Sequence, residues 1–147
     1  MASIDYAASD PLVTNYAWAA GIVDGEGHIG ATIRSAQASR PNHMVRAIRL
    51  TVPQTDPQML ERLQALFGGR IRRRGEPKPN HKQRWDYTLS GGPRVIKAIE
   101  LMWPWLGTVK RQQALAAIDI WTGSPRLVTN RNIKTIEKLE RDIVWLP

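Results

Sequence analysis

Two acids one residue apart close a run of small residues. In YAWAAGIVDGEGHI, residues 16–29, Asp24 and Glu26 alternate with glycines as Asp24-Gly25-Glu26-Gly27. A carboxylate offers oxygen to a hard cation, and two carboxylates held close repel each other unless a cation sits between them. The segment ahead of the acids is thin. At about 100° per residue, Ala17, Ala20, Gly21, Asp24 and Gly25 share one half of a helix running from Leu12 or Thr14 to Gly25. Tyr16, Trp18, Ile22 and Val23 share the other half, which is bulky enough to enter a core. A mid-helix glycine costs about 1 kcal/mol relative to alanine, so two of them need a compensating reason. One use of the bare half is close packing on the protein's own core. The other, favoured because the bulky half already claims that core, is pairing with the same helix of a second copy. Twofold pairing would bring two DGEG segments together, with each Glu26 at the surface where a sheet begins.

The remaining composition narrows the partner. The chain has 147 residues, which suits one domain over 1–147 with a core of about 12–122 and a helical tail of about 124–147. Its net charge is +8 and its pI near 10.4, an excess that favours a polyanion such as nucleic acid or an anionic membrane surface. With no cysteine, disulfides, thiolate zinc sites and cysteine nucleophiles drop out together. No apolar run approaches the length of a membrane span. The opening MASIDYAASDPLV lacks the basic and apolar regions of a secretory signal. The expectation is an intracellular protein, cytoplasmic if prokaryotic or phage-encoded, with organelle and nucleus left open. Neither a membrane nor a small-molecule cofactor is expected as a partner.

The elements that must position the acids follow from periodicity. HIGATIRS alternates, with Ile29, Ala31 and Ile33 on one side and His28, Gly30, Thr32 and Arg34 on the other. A polar loop, SRPNH, leads to VRAIRLTV, where Ile48, Leu50 and Val52 oppose Ala47, Arg49 and Thr51. Asp56-Pro57 opens a helix carrying Met59, Leu60, Leu63, Leu66 and Phe67, and Gly68-Gly69 stops it. Two more strands, GRIRRRG and QRWDYTLS, set Arg70, Arg72 and Arg74 opposite Ile71, and Arg84, Asp86 and Thr88 opposite Trp85, Tyr87 and Leu89. A helix from Gly91-Gly92-Pro93 to Pro104 follows, then one from about Val109 to Trp121, then a last one bearing Ile133, Ile136, Leu139 and Ile143. The fold class is α+β: an αββαββα order, an antiparallel four-stranded sheet with helices on one face, and further C-terminal helices.

The sheet's other face is rich in arginine, and a two-stranded ribbon fits the major groove of duplex DNA. Thr32, Arg34, Arg49, Arg70, Arg72, Arg74, Arg84, Asp86 and Thr88 are therefore candidate DNA-binding residues. A merely solvated charged face is the competing reading. Arg40, Lys78 and Lys82 fall on expected loops suited to backbone phosphate. His28, His43 and His81 have no metal-ligand spacing, and Trp85 fits a core phase better than a base-stacking one.

Ala19-Ala20-Gly21-Ile22-Val23-Asp24-Gly25-Glu26-Gly27 resembles the LAGLIDADG motif, and residues 12–122 resemble the LAGLIDADG homing endonucleases in element order. Ala19 departs from the motif's leucine, whereas Gly25 and Glu26 keep its acid in place. The resemblance implies a site-specific double-strand DNA endonuclease, hydrolysing phosphodiesters with Mg2+ (Mn2+ or Ca2+ replacing it for binding). A single motif implies a homodimer, here through Ala17, Ala20, Gly21, Asp24 and Gly25, and an intron or intein context. By the same resemblance Glu26 binds metal together with the Gly25 carbonyl, while Asp24 serves structure at the helix pair. Gln54 would hold a water, and Lys110 would lie near the scissile phosphate, completing a catalytic set of Glu26, Gln54 and Lys110. Gln54 also suits a simple turn and Lys110 a solvated helix start. The alternative function is a non-cleaving protein of the same fold, a transcription regulator or RNA-splicing maturase. A basic interaction protein without catalysis is more distant.

Overall fold

The computed structural model describes residues 11–37 and 40–123. The expected last helix and tail lie outside the described residues. Helix α1 (Pro11–Glu26) leads into β1 (His28–Gln37) and β2 (Arg40–Gln54), followed by α2 (Pro57–Phe67), β3 (Arg70–Arg73) and β4 (Trp85–Ser90). Helix α3 (Gly92–Met102), a 3-10 turn (Trp103–Trp105) and α4 (Thr108–Thr122) complete the order. The sheet is antiparallel, in the order β1-β2-β4-β3, which leaves β1 and β3 at the edges.

Local chemistry fixes the helix ends. The Asp56 carboxylate accepts the Gln58 N–H at 2.9 Å and Pro57 needs no donor, so α2 starts there. It stops at Gly68, whose φ of 76° few other residues adopt cheaply. Pro104 ends α3 as expected, but the chain tightens through the 3-10 turn before α4 rather than opening into a loop.

The described helices pack on one side of the sheet. Ile29, Ile48, Leu50, Val52, Tyr87 and Leu89 point down from it into Leu60, Leu63, Val95, Ile99, Met102, Trp103 and Ile118. Each large apolar side chain buried this way contributes roughly 1.5–3 kcal/mol. Trp85 packs partly against this core, as its strand phase requires.

Two expectations change. Within SRPNH, the residues from Arg40 on are not a loop: the β1–β2 ladder continues, with a register shift, through Ser35↔Met44 to Gln37↔Arg40, so Arg40 opens a strand. That part of β2 pairs only with β1, because the β4 pairing begins at Arg49; a proline is tolerated in such a margin. Alternation puts Ile33 beneath the sheet, but it is 45% exposed, since burial along β1 fades from Ile29 through Ala31 toward the hairpin tip.

Candidate active site and nucleic-acid interface

Helix α1 ends on Glu26 and turns into β1 through Gly27, whose N–H donates to the Val23 carbonyl at 2.9 Å. A Cβ on Gly27 would lie 2.9 Å from the Val23 Cα and carbonyl oxygen, so the handover to the sheet needs a bare backbone. The two acids then separate in role. Both carboxylate oxygens of Asp24 accept the Gly107 N–H, at 3.0 and 3.1 Å, which ties the end of α1 to the start of α4. Glu26 is exposed and its carboxylate has no hydrogen bond or ion pair among the described residues.

Lys110, in the first turn of α4, reaches the same turn. Its ammonium donates to the Gly27 carbonyl at 2.5 Å and stands 3.5 Å from the Gln113 Oε1. That oxygen also accepts the Ile29 N–H at 3.0 Å. Next along α4, Arg111 points the opposite way. Its buried guanidinium donates to the Trp103 carbonyl from Nη2 at 2.8 Å and Nε at 3.2 Å. Burial lowers its pKa from the ordinary value, and the Asp24 charge offsets part of that shift.

Gln54 closes β2 at the end of the sheet where α1 delivers Glu26, three residues beyond Thr51, the partner of His28. Its Oε1 accepts the Thr55 N–H at 2.8 Å, so the carbonyl oxygen is taken up by a local turn. Its strand phase matches buried Leu50 and Val52 rather than exposed Arg49. The structure therefore gathers Glu26, Lys110 and the Gly25–Gly27 backbone, with Gln54 at the same end of the sheet.

Among the described residues no group of three or more His, Asp or Glu side chains could enclose a cation within one chain. The turn offers two oxygen donors, the Glu26 carboxylate and the backbone carbonyl of Gly25. That set suits Mg2+, which binds through one or two carboxylates and keeps waters for the rest. With Asp24 committed to Gly107, the described residues of one chain supply one uncommitted carboxylate at this turn, Glu26.

The open face of the sheet carries the expected cations. Thr32, Arg34, Arg49, Arg70, Arg72, Arg74 and Arg84 are exposed, and Asp86 and Thr88 partly so. Register sets them in rows: Thr51 beside Thr88 and then Arg70, and Pro53 beside Asp86 and then Arg72. A cavity of about 610 Å³ opens here, lined by Arg49, Arg70, Arg72, Asp86, Thr88 and Arg94 among others. Asp86 does not stand free. It receives Arg74 in a fork, Nε to Oδ2 and Nη2 to Oδ1, both at 3.0 Å. Arg94, from the first turn of α3, joins this lining and was missed in the sequence, where its helical position hid its reach to the sheet. Lys78 and Lys82 sit exposed in the β3–β4 connection, as expected.

The thin helix keeps only part of its open stripe. A Cβ at Gly21 or Gly25 would meet nothing within 4 Å, and Ala17 is half-buried. Ala20 must be removed from the interface set. It is 0% exposed, sealed with Ala19 and Val23 inside its own protomer, where α1 packs on α3 and the 3-10 turn. The helix is thin on its inner side as well, which the spacing did not separate from the outer stripe.

No family model and no curated protein matches the chain. Solved structures do. The homing endonuclease I-CvuI, in complex with the I-CreI target in 2 mM Mg with the DNA uncleaved, is 24% identical. The match covers 92% of this chain and 87% of that one, with a TM-score of 0.60. The archaeal intron-encoded homing endonuclease I-Vdi141I, complexed with DNA, is 14% identical over 91% of this chain and 87% of that one, TM-score 0.53. The LAGLIDADG homing endonuclease I-LtrWI, bound to target DNA, is 17% identical over 97% of this chain and 47% of that one, TM-score 0.51. The chain has the fold of the LAGLIDADG homing endonucleases.

Proposed function

We propose that this chain is a metal-dependent, site-specific DNA endonuclease of LAGLIDADG type, acting as a homodimer. One observation carries the reading. An exposed carboxylate, Glu26, without a partner among the described residues, ends a helix at the turn that a tethered ammonium, Lys110, reaches, at one end of an arginine-faced sheet. A protein that only gripped DNA would have no use for an unpaired acid next to a phosphate backbone, where like charges repel.

Glu26 and the Gly25 carbonyl are the residues that would hold the ion, with the partner's equivalents completing the oxygen set. When bound, a divalent ion supplies a lowered water pKa and charge stabilisation at the phosphate. Lys110 offsets the negative charge that builds on the phosphoryl oxygens. The Gln54 amide group is left to orient a water, its carbonyl oxygen being engaged with Thr55. Arg49, Arg70, Arg72 and Arg94 neutralise phosphates or read guanine edges, while the Asp86 carboxylate aims Arg74.

Dimerism is supported by the open Gly21–Gly25 stripe and by a turn where, among the described residues, Glu26 is uncommitted and Asp24 is tied to Gly107. Matching 87% of I-CvuI but 47% of I-LtrWI is also what one copy of a twofold architecture would give. The test is incubation of a randomised duplex library with the protein and Mg2+, followed by sequencing of the cut ends. Paired breaks with short 3′ overhangs at one motif are expected. Binding without any cut ends would favour the regulator or maturase reading.

A further inference from the structure

Because β1 is an edge strand, some of its backbone N–H groups face away from the sheet and need partners elsewhere. Ile29 finds one in Gln113, whose Oε1 lies 3.0 Å from the amide nitrogen. Gln113 stands one helical turn after Lys110 on α4, so the two side chains share a face. Lys110 holds the carbonyl just before His28 and Gln113 holds the amide just after it, while the shared Oε1 stands 3.5 Å from the ammonium.

Resting on the nuclease reading, we infer that Gln113 is a positioning residue, fixing Lys110 and the Glu26–Gly27–His28 turn against each other before DNA arrives. A lysine side chain has roughly 2 kcal/mol of rotamer entropy to lose when it is immobilised. Here Gly27 and Gln113 occupy two of the ammonium's three N–H donors, leaving one for a phosphate oxygen. The cation is thus set in place at the turn that carries the proposed metal-holding acid, which is the kind of preorganisation that favours a developing charge. Nothing in the Lys110 spacing alone would identify its anchor.

The test combines Gln113→Met, which keeps the length but removes the acceptor, with Gln113→Glu, which keeps an acceptor. Gln113→Ala is carried in parallel as a smaller replacement. In single-turnover cleavage with Mg2+, Gln113→Met should slow the cut by roughly 10–100-fold, the usual cost of losing a supporting partner around a metal site. Affinity for the same duplex in Ca2+ should not change, and Gln113→Glu should recover most of the rate. The Ile29 amide should exchange its hydrogen roughly tenfold faster in Gln113→Met, as loss of one hydrogen bond implies. Adding Gln113→Met to Lys110→Met should cost little beyond Lys110→Met alone, because one residue acts through the other. Fully additive losses, or an unchanged rate in Gln113→Met, would overturn the inference while leaving the nuclease reading intact. A wild-type protein that cuts no duplex removes both.

Discussion

Asp24 and Gly107 are joined by two hydrogen bonds from a single backbone N–H, at 3.0 and 3.1 Å, across 83 residues of sequence. This link fixes where α1 ends relative to where α4 begins, and so the distance at which Glu26 and Lys110 stand from each other. Asp24→Ala should cost about 1 kcal/mol, as loss of a capping acceptor does. Asp24→Asn, which keeps an oxygen acceptor, should recover most of that. Urea melts of the three proteins measure it. A loss of DNA cleavage in Asp24→Asn with full stability would instead make Asp24 part of the chemistry.

The Gly21 position separates folding from pairing. A Cβ there meets nothing within 4 Å in its own protomer and the position is exposed, so Gly21→Leu should fold, and gain up to about 1 kcal/mol of helix propensity. Its leucine would stand between two α1 helices in a dimer. Sedimentation should therefore find a folded monomer, and a folded dimer would move the interface off this helix.

The arginine face makes a salt-dependent prediction. Log affinity should fall steeply and linearly with log salt, and replacing Arg70 or Arg72 with alanine should lower the slope by about 1 for each phosphate that is no longer neutralised. If instead the slope is kept while one base pair's preference relaxes, that arginine reads a base rather than a phosphate. Fluorescence anisotropy at several salt concentrations distinguishes the two outcomes.

Tyr87 couples the core to pH. Its hydroxyl donates to the Gly68 carbonyl at 2.8 Å, and burial pushes its pKa from 10.0 up to about 12, with Arg94 drawing it partly back. Well below pH 10 the phenol is protonated whether folded or not. As pH rises toward 12 the unfolded chain loses this proton and the native one keeps it, so stability falls across that window. Tyr87→Phe should flatten the fall and cost about 1 kcal/mol at neutral pH through the missing hydrogen bond. Melts at about pH 9 and about pH 11 measure both effects.

What the sequence made legible was whatever rests on local chemistry. Asp56-Pro57 and Gly68-Gly69 bound α2 because a cap, a donor-free residue and a positive φ act within a few residues. The strand phases of Arg49, Arg70, Arg72 and Tyr87 followed from alternation, and with them the arginine face. Interactions between distant segments left no local mark. The Lys110–Gly27 and Asp24–Gly107 bonds each span 83 residues, and Gln113 looked like any polar position on α4. Ala20 went the wrong way for a related reason: small residues mark a close neighbour without saying whether it belongs to the same chain.

The most direct measurement compares wild type with Glu26→Gln on a cleavable duplex, pairing cleavage rates in Mg2+ with binding in Ca2+. The substitution keeps the size of the side chain and removes its charge at an exposed position, so the fold should be untouched. If Glu26 holds the ion, cleavage should fall by at least about 100-fold, the upper end of what a supporting group around a metal costs, with binding retained. A Glu26→Gln protein that cuts as fast as wild type would contradict that role.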